Sequence, residues 1–244
     1  MATQTLGRVR WSGERLFFTG MAVAIFIAAY VGFARSFFLR PLFPDWPSPS
    51  EPIFYVHGAM FAAWCVLLVV QTSLVAGGRT DVHRRMGMWG AVLAGAMVAI
   101  GSYGALVAAA RPTGFTSMPI PPLQFLVVPL FDMLLFAIFV GLAVRGRRDA
   151  QAHKRWMLLA SITLLGAAFA RWPGLAGGGP VVFYGVADLF IVAIAIRDFA
   201  TRGRLHPATL WGGLAIIVSQ PLRLMVSGTP AWLAFASWAT GLVR

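Results

Sequence analysis

Residues 54–76 read FYVHGAMFAAWCVLLVVQTSLVA, and residues 77–87 continue GGRTDVHRRMG. The first run contains no Asp, Glu, Lys or Arg. About 20 helical residues cross a hydrocarbon core of about 30 Å. That layer has no water to bond a peptide group, so the backbone must satisfy itself within the segment, and the run is expected to be a helix. The glycine pair ends it, and a basic cluster with a histidine opens the next apolar run. The same succession recurs at residues 145–157, RGRRDAQAHKRWM, and at 197–207, RDFATRGRLHP. Three of the four histidines, His83, His153 and His206, therefore stand at the mouths of apolar segments.

The rest of the composition agrees. Of 244 residues, 59% are hydrophobic and 11% are charged, against about 25% charged in a soluble domain. Too few charges remain to cover a water-facing surface, so lipid is expected as the main solvent and partner. The net charge of +12 sits in short clusters between apolar runs, as at headgroup boundaries; it is not read as a nucleic-acid surface. The single Cys65 excludes a disulfide framework or thiolate cluster and suits a small core position. The first apolar run is too long for a secretory h-region, so it is expected to be a span.

These features predict an all-α integral membrane bundle forming one polytopic domain over residues 1–244. Spans are expected near 16–35, 54–76, 86–108, 123–144, 155–171, 181–197 and 208–227, with a short interfacial helix over 230–244. With the N-terminus inside, Arg8, Arg10, Arg15, Arg79, Arg84, Arg85, Arg145, Arg147, Arg148, Lys154, Arg155, Arg197, Arg202 and Arg204 fall inside. Arg35, Arg40, Arg111, Arg171, Arg223 and Arg244 fall outside, a ratio of 14 to 6. The positive-inside rule then orients a bacterial inner-membrane protein with a cytoplasmic N-terminus. The outer connections PLFPDWPSPSEP (41–52) and RPTGFTSMPIPP (111–122) are proline-rich and cannot be helical throughout.

Polar groups within spans are costly and are candidates for function. At the inner ends, His83 and His153 are each followed by two basic residues, Arg84 with Arg85 and Lys154 with Arg155. Two imidazoles opposed across a bundle can supply both axial ligands of a b-type haem, and neighbouring arginines would neutralise its propionates. Adding His206 gives an alternative: a three-histidine zinc site of a membrane hydrolase, with Asp198 orienting a ring. A third reading has no cofactor, the histidines merely standing at a headgroup boundary in a transporter or assembly subunit. Toward the outer side lie His57, Asp188 and Arg223, the last two expected to pair across spans six and seven. Asp132 is expected to lie alone in span four, at a proton-relay or cavity position. Pro129 and Pro221 release backbone carbonyls nearby.

HGAMFAAW (57–64), followed by VHRRMG (82–87) and AHKRWM (152–157), resembles the transmembrane b-type cytochromes of the ascorbate-reducible, ferric-reductase-like kind. The likeness covers about spans two to five. It is also similar to bacterial multi-pass proteins carrying HRR-x-G and HKR-x-M. The cytochrome resemblance implies an inner haem held by His83 and His153. It would pair His57 with a histidine on span four to hold an outer haem, but that span begins PPLQFLVV and offers only Gln124. One haem rather than two is therefore implied, with no relay across the bilayer. The expected function is a single-haem redox protein or a haem-dependent quinone or metal reductase.

Overall fold

The computed structural model describes residues 13–47, 51–115, 120–175 and 178–243. Arg8, Arg10 and Arg244, which enter the charge count, lie outside these residues. The described chain is all-helical: α1 (Gly13–Phe33), α2 (Pro52–Ala76), α3 (Thr80–Ala110), α4 (Pro122–Phe125), α5 (Val127–Arg145), α6 (Ala150–Thr163), α7 (Leu165–Phe169), α8 (Gly179–Arg202), α9 (Pro207–Ser227) and α10 (Pro230–Gly241). A π-helical turn, Ala34–Phe38, extends α1. Six of these segments, α4 and α5 counting as one, are long and apolar enough to cross a membrane. The chain is thus an all-α membrane bundle.

The helices start and stop where local chemistry says they should. Proline sits in the first turn of α2, α8, α9 and α10, where its missing N–H has no intrahelical use. Asp149 caps α6, accepting from the amides of Gln151 at 2.8 Å and Ala152 at 3.2 Å. α8 ends at Gly203, whose φ of 67° is left-handed, and the α2–α3 bend uses Gly78 at φ 77°. Pro129 cannot donate to the carbonyl of Phe125, and α4 gives way to α5 at Leu126, between them.

Several expected boundaries move outward. α3 begins at Thr80 rather than 86, and α6 at Ala150 rather than 155. Both histidines thus lie on helical turns that project beyond the apolar stretch. The expected fifth span is in two pieces, α6 and α7, interrupted at Leu164. Just before the break, Ser161 Oγ donates to the Met157 carbonyl at 3.0 Å and Thr163 Oγ1 to that of Ala160 at 2.7 Å, a back-bonding that bends helices. The twelve-residue α10 packs against α3 and α4 and is shorter than the roughly 20 residues a span needs.

Adjacent helices form hairpins. α2 pairs with α3, α5 with α6 and α8 with α9, while α1 lies against α2, α6 and α7. The central contact is Trp64 against Phe136, edge to face with centroids 5.1 Å apart, and the Trp64 indole donates to Ser161 Oγ at 3.1 Å. Small residues let backbones approach: a side chain at Gly32 would meet the Ala168 backbone, and one at Gly212 would meet Trp156 and Leu159. Large apolar residues such as Trp89, Leu189 and Met225 point outward, as a bundle dissolved in lipid requires.

Candidate functional site

The three bends that carry His83, His153 and His206 lie at one end of the bundle, here called the basic end. There the α2–α3 and α5–α6 hairpins bring the rings of His83 and His153 together, centroids 6.1 Å apart and planes at 85°. His153 Nδ1 lies 2.9 Å from the Ala143 carbonyl. A carbonyl only accepts, so Nδ1 carries a proton. Gln71 of α2 donates to the His83 backbone carbonyl at 3.2 Å, which ties the mouth of α3 to α2. His83 Nδ1 is buried without a hydrogen-bond partner among the described residues. Arg84 and Arg85, on the same turn, are exposed.

His206 does not join this pair. It caps α9: its Nδ1 accepts from the Ala208 amide at 3.0 Å. Its backbone amide donates to Asp198 Oδ2 at 3.1 Å. Asp198 thus holds the histidine's backbone, not its ring, which corrects the expected ring-orienting role. Among the described residues no three of His, Cys, Asp or Glu are grouped as a metal site. Burial, reinforced by the charges of Arg155 and Arg202, holds the His206 ring below its ordinary titration range.

Asp198 is instead the hub of a second cluster. It accepts from Arg155 Nε at 3.0 and 3.3 Å, from the Arg155 Nη2 and from Thr209 Oγ1 at 2.6 Å. The pair is buried, Arg155 at 2% and Asp198 at 0% exposure. Arg155 Nη1 donates to the Gln151 carbonyl and to its Oε1, both at 2.8 Å. Gln151 reaches Glu14 of α1 at 3.0 Å, and Lys154 pairs with the same carboxylate. Arg155 is therefore committed within the protein and is not free to meet a haem propionate. The cluster ties α1, α6, α8 and α9 together. Thr209, Gln151 and Glu14 went unnoticed in the sequence, although Gln151 stands i−4 to Arg155, the spacing of facing residues on a helix.

At the other end, Arg223 donates to Asp132 Oδ1 at 2.5 Å, to Tyr184 Oη at 3.3 Å and to Ser219 Oγ at 3.0 Å. Asp188 accepts from Gln220 at 2.8 Å. The expected Asp188–Arg223 pair is thus replaced by Asp132–Arg223. Asp132 is not a lone acid, because α9 packs on α5 and delivers a guanidinium at its depth. His57, on α2, stacks on Phe61 with centroids 4.1 Å apart. No protein-family model, curated protein or solved structure matches the chain.

Proposed function

We propose that this chain is a single-haem redox protein of the membrane, holding a b-type haem at its basic end through His83 and His153. The observation that carries the reading is the convergence of these two rings from separate hairpins, 6.1 Å between centroids. Two imidazoles that meet from separate helices could hold one metal-centred group between them. The residues fit such a group in two further respects. His83 Nδ1 is a buried nitrogen lacking a partner among the described residues, and the contact of His153 Nδ1 with the Ala143 carbonyl orients that ring and leaves Nε2 as the nitrogen that would face a ligand. When bound, haem supplies a one-electron couple. The protein's share is to fix both rings and to offer Arg84 and Arg85 to the propionates.

Orientation belongs to the same proposal. The basic end faces the cytoplasm of a bacterial inner membrane, as the distribution of arginines favours. The three-histidine hydrolase has less behind it, since His206 Nδ1 is occupied in capping α9. The transporter reading rested on an isolated Asp132, and Arg223 now neutralises that carboxylate. Extraction of the purified full chain as pyridine haemochrome tests the proposal: about one haem per chain is expected, and none, after expression with haem precursor supplied, contradicts it.

A further inference from the structure

A cavity of about 300 Å³ lies in the half of the bundle away from His83 and His153. Tyr30, His57, Phe61, Gly104, Phe125 and Asp132 are among its lining residues. Its wall is chiefly aromatic and aliphatic, which suits a flat apolar body. Polar residues interrupt it from several helices, among them His57, Asp132, Arg111 and Arg171. His57 Nδ1 is buried and has no hydrogen-bond partner among the described residues. The Asp132 carboxylate receives Arg223 on Oδ1.

The space beside His57 exists because α3 carries glycine there. A Cβ built at Gly104 would stand 3.8 Å from His57 Nδ1 and 4.0 Å from Phe54. A buried ring nitrogen left bare costs free energy unless something else satisfies it. The occupant must be chiefly apolar, because the wall is chiefly aromatic and aliphatic. It must be small, since the volume is at the lower end of ligand pockets, about 300–1,000 Å³. It must also carry oxygen at a ring edge, to meet an imidazole on one side and a carboxylate on the other.

We propose that this cavity binds a six-membered ring bearing hydroxyls, a quinol. The ring lies among the aromatic side chains, with one oxygen on His57 and one hydroxyl directed to Asp132. The site is separate from the His83–His153 pair and does not depend on the haem reading.

Calorimetric titration of the detergent-solubilised full chain with trimethylhydroquinone, kept reduced under argon, tests this. Saturable binding at about one ring per chain is expected. Gly104→Ala places a methyl beside His57 in a position with room for it, so the fold is retained while binding weakens roughly tenfold. His57→Phe keeps the stack on Phe61 and loses the nitrogen, with a similar loss. Should His57→Phe fail to fold, Gly104→Ala alone decides. No saturable heat with the wild type, or affinity unchanged in a folded Gly104→Ala, overturns the proposal. A decyl-tailed hydroquinone binding more tightly than the tailless ring would mean a ligand drawn from the membrane, and equal affinities one drawn from water; both support the site. A colourless protein that still binds the ring would sink the haem proposal and leave this one standing.

Discussion

Arg223 of α9 donates to Asp132 of α5 at 2.5 Å, and both side chains are buried. Two helices far apart in sequence are thereby locked at one depth. Removing one partner leaves a charge in a medium that solvates it poorly, at about 3–5 kcal/mol, while replacing both with apolar residues of similar size is often neutral. Asp132→Leu is therefore expected to lower the thermal unfolding midpoint in detergent sharply, and the double variant Asp132→Leu with Arg223→Met to recover most of the loss. Additive losses in the double variant would show that the two residues are not partners.

His206 predicts a response to acid. Burial first, then Arg155 and Arg202, holds its pKa below the ordinary 6.5. The folded chain thus binds this proton less readily than the unfolded chain. The contribution to stability is complete above the unfolded value and is lost as pH falls toward the lowered folded one. The cap also needs the Nδ1 lone pair, which protonation removes. His206→Asn keeps a good cap without a titrating ring. The wild-type midpoint should fall more steeply than the variant's between about pH 7 and pH 5; parallel curves would assign the acid response elsewhere.

The spans were legible in the sequence because lipid permits few backbone solutions, and 54–76 without a formal charge has only one. The His83–His153 meeting was half legible. Both residues open a helix after a basic bend, but which hairpins adjoin is decided by packing. Asp132–Arg223 was missed for the same reason. The interruption at Leu164 was hidden because Ser161 and Thr163 carry no helix-breaking signature until their hydroxyls are seen bonding back to the helix.

Two glycines of α1 should behave oppositely. A Cβ at Gly32 would lie 2.8 Å from Ala168 Cα, whereas nothing lies within 4 Å of one at Gly20. Overpacking costs about 1–3 kcal/mol, and a helical glycine replaced by alanine in open space gains about 0.5–1 kcal/mol. Gly32→Ala should lower the unfolding midpoint and Gly20→Ala should not. Equal effects would mean that α1 does not rest on α7 through Gly32.

The central claim is that His83 and His153 share one ligand. The reduced-minus-oxidised absorption spectrum of the purified full chain, compared with His83→Ala and His153→Ala, addresses it most directly. The account predicts a haem b difference spectrum in the wild type that is lost or strongly altered in each variant, while His206→Asn retains it. A colourless wild type, or a coloured protein whose spectrum survives both substitutions unchanged, would contradict it.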